Sequence, residues 1–245
     1  MQLWFCPVLA FLLGSIPFGV FIAKAKGIDI RQHGSGNIGA TNVFRIVGKK
    51  YGIGCLFLDA LKGFVPVVIA VNLVQWQGHE SMMSLDFLKS FRMDPAPSQF
   101  TAQLTHVVTA LAAVLGHNYS PWIGFRGGKG IATSAGVLLG LMPFAIILLI
   151  PIFVVTLMLT RYVAVASIVC AAALPILTHV GARYHKVDGV SLWEAGTWNK
   201  PLFFFSLLIG ILAIWKHRTN IRRLLDGTES RFVWGGGNKS TTLDP

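Results

Sequence analysis

Apolar residues fall into long runs separated by short polar, glycine-rich segments, without the strict alternation of a membrane strand. Seven runs stand out, at residues 3–23, 53–75, 101–119, 130–142, 143–160, 162–181 and 202–216. Most approach the roughly 18–20 residues that carry a helix across a bilayer. The pattern predicts an all-α fold, a polytopic membrane bundle of seven transmembrane helices with short interfacial helices. Residues 130–160 are one apolar stretch interrupted by Met142-Pro143 and Pro151. Proline lacks an N–H and clashes with the turn before it, so a tight turn near Pro143 is expected to split that stretch in two. The first run has no basic segment before it and is followed by Lys24 and Lys26, the reverse of a cleaved signal peptide. It reads as a retained span with its N-terminus outside.

Composition sharpens this picture. With 53% hydrophobic residues and a mean hydropathy of +0.62, the 245-residue chain is too apolar for an ordinary soluble domain. One membrane-embedded domain is expected over residues 1–234, with the glycine-rich end 235–245 a flexible cytoplasmic tail. A net charge of +11 raises nucleic acid as a partner, but the cations lie between spans, where membrane orientation accounts for them. Loops after odd-numbered spans, with the tail, hold 15 of the 21 basic residues; the other side holds Lys89, Arg92, Arg183, Lys186 and Lys200, and Lys62 sits inside a span. That bias places the odd loops and the C-terminus in the cytoplasm. Segments 76–100 and 182–200 become external loops, carrying Glu80, Asp86, Asp94, Asp188 and Glu194. Cys6, Cys55 and Cys170 fall in apolar stretches and read as core residues.

Three cytoplasmic segments carry chemistry. In the first, Gly34 to Arg45, small residues let backbone amides approach an anion, Ser35, Asn37, Gly39, Thr41 and Asn42 line the turn, and Arg45 offers a two-pronged grip on phosphate. The run contains GxGxxG, but after a membrane helix instead of a strand, so the dinucleotide reading fails its context. In the second, Gly116 to Gly130, the string Arg126-Gly127-Gly128-Lys129-Gly130 precedes a helix and forms a candidate anion nest, with His117 close by in sequence. It is not a Walker A loop, since the spacing is wrong and no Ser or Thr follows Lys129. In the third, Lys216 to Glu229, a short interfacial helix closed by Gly227 is expected to align His217, Asn220 and Arg223 on one face.

Each segment also has a plainer reading: a glycine-rich turn, a positive-inside loop, or a basic helix resting on anionic lipid. Inside the membrane, Asp59 and Lys62 are spaced to pair with each other, a pair that either serves the fold, the favoured reading, or shapes the site. Ser167, near the cytoplasmic end of the sixth span, is a candidate substrate contact. There is no Gly-x-Ser-x-Gly elbow, no His followed by Asp at five residues, and no carboxylate cluster for Mg²⁺ or Zn²⁺. No metal, no cofactor and no obligatory protein partner are expected.

Taken together and in order, these segments resemble the bacterial acyl-phosphate:glycerol-3-phosphate acyltransferase family, PlsY, whose motifs run close to GSGNxGATNxxR, GHxxPxxxxFxGGKG and HxxNIxRLxxGxE; Leu58-Asp59-Ala60-Leu61-Lys62-Gly63 matches a further family feature. Ile38 stands where proline is frequent, Arg126 where lysine is frequent, and Ala164 near an expected serine; loops 76–100 and 182–200 look longer than usual. The resemblance implies a multi-pass enzyme of the bacterial inner membrane, with its site at the cytoplasmic face. It would move a fatty acyl group from acyl phosphate to the 1-hydroxyl of glycerol 3-phosphate, giving lysophosphatidate and inorganic phosphate, the first step of phospholipid synthesis. Under that reading Arg45 and Lys129 hold the phosphates, and Ser35, Thr41, Asn42 and the loop amides donate to them. His217 and Asn220 complete the glycerol-phosphate pocket, and Gly127-Gly128 hold acyl phosphate. The proton acceptor is His117, His217 or a substrate phosphate oxygen. Two rivals stand beside it: an organic-phosphate transporter, and a non-catalytic scaffold for anionic lipid.

Overall fold

The structure is a computed structural model describing residues 2–79, 81–184, 186–187, 190–191 and 199–233. The expected flexible tail 235–245 and most of loop 182–200 lie outside the described residues. Within them the chain is helical, apart from a ribbon pairing β1 (Lys186–Val187) antiparallel with β2 (Val190–Ser191). That ribbon has two residue pairs, and the architecture is the all-α membrane bundle expected.

The first apolar run is not one continuous helix. It divides into α1 (Gln2–Gly14) and α2 (Phe18–Lys24). Pro17 cannot donate into the helix, and the carbonyls freed at the break find partners elsewhere. Ser120 Oγ donates to Ser15 O at 2.6 Å and Lys62 Nζ to Ile16 O at 2.7 Å. After α2 the chain turns through α3 (Ala40–Ile46) into α4 (Lys49–Leu73), then crosses the far end of the bundle to α5 (Gln99–Asn118). Helix α6 (Ile131–Leu141) ends at Met142, and α7 (Pro143–Thr160) starts at the next residue, so the turn expected at Pro143 is present. Helices α8 (Val163–Tyr184) and α9 (Lys200–Lys216) follow, and α10 (Arg218–Leu225) leaves α9 at 51°.

Among the described residues five segments are long and apolar enough to cross a membrane, with α1 and α2 counted as one; the bent pair α9–α10 makes a sixth if it is a single span. Helix α6 falls short of the expected crossing: its 11 residues rise only about 16 Å at ~1.5 Å each. Small residues bring the axes together. A Cβ on Gly14 would strike Ala113 of α5, and one on Gly136 would strike Ala60 of α4, so neither contact tolerates a side chain. A core of Val67, Val114, Val137, Leu174 and Ile209 joins α4, α5, α6, α8 and α9. Every segment singled out by its glycines and cations lies at one end of this bundle.

Candidate functional site

A cavity of about 370 Å³ at that end is walled by residues from all three segments. From the first come Ser35, Asn37, Gly39, Thr41, Asn42 and Arg45; from the second His117, Lys129 and Gly130; from the third His217, Asn220 and Arg223. Segments roughly 80 residues apart in sequence thus share one cleft.

The loop ahead of α3 owes its shape to Asn42. Its buried amide donates to the carbonyls of Ile30, His33 and Asn37, and its Oδ1 accepts the Ser35 N–H at 3.1 Å. Gly34, at φ +60°, packs on that same oxygen, where a Cβ would collide. Asn42 is therefore committed to the backbone and has no donor left for a ligand, a correction to its expected role. Asn37 is engaged only through its oxygen, Oδ1 accepting the Gly39 N–H at 2.8 Å, so its side-chain NH2 stays available as a donor. The Ser35 and Thr41 hydroxyls have no hydrogen-bond partner among the described residues.

Lys129 stands just before α6, held by the side chain of Asn220. Asn220 in turn donates to Glu229 at 2.7 Å, and Arg223 Nε donates to the other oxygen of that carboxylate at 2.7 Å. Glu229 thus sits within a cluster of Arg45, Lys129 and Arg223, and Arg45 donates to Ser230 O at 3.0 Å. Burial first, then repulsion from Arg223 and Arg45 against the attraction of Glu229, brings Lys129 down to about 8. Burial also lowers Arg45. For Glu229, burial acts upward, but the hydrogen bonds from Arg223 and Asn220 outweigh it and hold the carboxyl below its ordinary value. His217 Nδ1 lies 2.8 Å from Ala213 O. A carbonyl only accepts, so Nδ1 carries the proton and Nε2 is the free acceptor. Burial, reinforced by Lys129, lowers His217 to about 4, so the ring is neutral near pH 7.

The second segment departs most from expectation. The N–H groups of Gly127 and Gly128 donate to the carbonyls of Asn118 and His117, each at 3.2 Å. Their amides are spent inside the protein, neither lines the cleft, and Cβ atoms there would strike His117 or Asn118. These glycines let the Lys129 loop lie flat against the end of α5 instead of forming an anion nest. Arg126 is exposed and outside the cleft. Ser167 is also outside it: its hydroxyl donates to Val163 O at 2.8 Å, and the residue lines a separate apolar groove.

Behind the cleft, Lys62 and Asp59 form the expected pair at 2.8 Å, both almost fully buried. His117 Nδ1 lies 3.8 Å from the same carboxylate oxygen, and Asp59 reaches the cleft wall. Sequence reasoning left Glu229 and Ser230 out of the site and favoured a structural role for Asp59. Glu229 was visible as one of two carboxylates, with Asp226, after a run of four cations, Lys216, Arg218, Arg222 and Arg223.

The apolar groove, about 280 Å³, runs between α6, α7, α8 and α9. It shares Leu56, Ile131, Ala132 and Phe153 with the cleft, so the two adjoin at those side chains. Fold and site together define an integral membrane protein built to hold a phosphorylated head beside an apolar tail. The glycerol-3-phosphate acyltransferase family model matches residues 4–227, and the chain belongs to that family. The glycerol-3-phosphate acyltransferase of Geotalea daltonii is 43% identical over 91% of this chain and 94% of its own length. That of Aquifex aeolicus is 40% identical over 95% of this chain and 100% of its own. Two crystal structures of PlsY (YgiH), an integral membrane glycerol 3-phosphate acyltransferase, are also similar, each at 37% identity over 95% of this chain and 96% of theirs. One, in the glycerol 3-phosphate form, superposes with a TM-score of 0.74; the other, in the lysophosphatidic acid form, with 0.71.

Proposed function

We propose that this enzyme transfers a fatty acyl group from acyl phosphate to the sn-1 hydroxyl of glycerol 3-phosphate, releasing lysophosphatidate and inorganic phosphate. The observation that carries the proposal is the junction of a cation-lined cleft with an apolar groove through Leu56, Ile131, Ala132 and Phe153. Arg45, Lys129 and Arg223 neutralise the two phosphates, and Ser35 and Thr41 donate to them. The acyl tail lies in the groove past Ile131 and Ala132, which puts its carbonyl carbon at the mouth of the cleft.

Acyl phosphate is already activated, so the work is positioning, charge neutralisation and proton removal. The hydroxyl oxygen forms a bond to the acyl carbon, the bond from that carbon to the phosphate oxygen breaks, and phosphate departs with the electron pair. The hydroxyl proton goes to a phosphate oxygen. His217, lowered to about 4, is a weaker base than a phosphate monoester, whose second pKa is about 6. His217 therefore binds and orients the glycerol phosphate.

We further propose seven crossings, with α9 and the short α6 joining the five long ones: α6 spans only part of the thickness, and the loop before it, buried at Gly128 and Gly130, completes its path inside the protein. The N-terminus lies outside and the C-terminus is cytoplasmic, in a bacterial inner membrane. The excess of cations at the cleft end supports that orientation. Purified enzyme supplied with glycerol 3-phosphate and acyl phosphate should form lysophosphatidate and inorganic phosphate in equal amounts, while acyl-CoA and acyl carrier protein thioesters give none. Turnover with a thioester but not with acyl phosphate would refute the donor assignment.

A further inference from the structure

The end of the bundle away from the cleft carries a feature the acyl transfer does not use. Between α4 and α5 the chain forms a 3-10 helix at Asp86–Phe91. Side chains three apart eclipse in such a helix, which gives it three ridges. Asp86 and Lys89 share the first and pair at 2.7 Å in solvent. Leu88 turns inward onto the core cluster of Cys6, Ala70 and Leu73. Phe87, on the second ridge, is 70% exposed; Phe91, which ends the third ridge beyond Leu88, is 63% exposed; and Met82, just upstream, is 74% exposed.

This loop is fastened to the bundle. Asn72, almost fully buried in the last turn of α4, donates to Met83 O at 2.8 Å and accepts the Leu85 N–H at 2.8 Å. The Met93 N–H donates to Leu73 O at 2.9 Å. The apolar side chains are thus held at a fixed height beside the end of α4. A row of exposed apolar residues on α5, Phe100, Leu104 and Val108, spaced by four, runs up to the same level. On a helix that crosses a bilayer such a row faces acyl chains, so the loop stands where the bundle leaves the membrane.

We infer that Met82, Phe87 and Phe91 form a foot seated in the headgroup–acyl boundary of the leaflet opposite the cleft, with Asp86 and Lys89 turned to water. Aromatic side chains collect at that boundary, and short elements with one apolar and one charged side lie in it. The foot is tied to the far end of α4, whose near end leads into the cleft.

The test uses the full chain in lipid nanodiscs, with a genetically encoded keto-phenylalanine at position 87, 91 or 89 carrying a ketone-reactive nitroxide, so that the native cysteines stay in place. Power saturation should show labels at 87 and 91 colliding several-fold more with oxygen than with a water-soluble nickel complex, and the label at 89 the reverse. Equal nickel access at 87 and 89 would overturn the foot. So would shielding of 87 and 91 from both reagents, which would mark a protein contact.

Discussion

Lys62, inside α4, donates to the main-chain carbonyl of Ile16 at 2.7 Å and holds Asp59 at 2.8 Å. A single buried cation thus ties the middle of one spanning helix to the break in another, beside the wall of the cleft. Removing one partner of such a pair strands the other charge, which costs about 3–5 kcal/mol, whereas replacing both with apolar residues is close to neutral. Lys62→Met should therefore sharply lower the thermal unfolding temperature in detergent. Asp59→Leu combined with Lys62→Met should recover most of the loss, short of the bond to Ile16.

Lys129 titrates within the working range. Its folded value of about 8 lies below the ordinary 10.5, so its positive charge is present below that pH and lost as pH rises through it. KM for glycerol 3-phosphate should climb from about pH 8 upward. Lys129→Arg, which stays charged, should flatten that alkaline limb whatever its effect on turnover. Initial rates across pH 6.5–9.5 would check both.

The glycines of the second segment act through shape. A Cβ on Gly127 would strike the main-chain carbonyl of His117. Overpacking of that kind costs about 1–3 kcal/mol. Gly127→Ala should both lower the unfolding temperature and weaken glycerol 3-phosphate binding by shifting Lys129. A variant with full stability and only a binding defect would restore the anion-nest reading.

Ser167 bonds its own helix within the apolar groove. Ser167→Ala should leave KM for glycerol 3-phosphate within about twofold, because a surplus helix-bonded hydroxyl contributes little. Ala135→Phe, which fills the same groove, should instead shift preference toward shorter acyl phosphates, read as kcat/KM across a chain-length series.

Much of this architecture was legible in the chain. The runs of apolar residues marked the helices, Met142-Pro143 marked the turn, and glycine beside cation marked the strands of loop that meet at the cleft. What stayed hidden was the partner of each polar group. A glycine pair admits an anion or a neighbouring helix equally well, so Gly127 and Gly128 were misread. An asparagine amide can serve a substrate or three carbonyls, so Asn42 was too. The break at Pro17 was hidden because its stability depends on Lys62 and Ser120, 46 and 105 residues from the carbonyls they cap.

The claim that segments 34–45, 126–130 and 217–229 build one phosphate cleft is tested most directly by ligand-induced stabilisation. Glycerol 3-phosphate should raise the unfolding temperature of the purified enzyme, as any ligand of the folded state does. Arg45→Ala, Lys129→Ala and Asn220→Ala, one from each segment, should each abolish that rise. If two of the three retained it in full, the segments would not share a site.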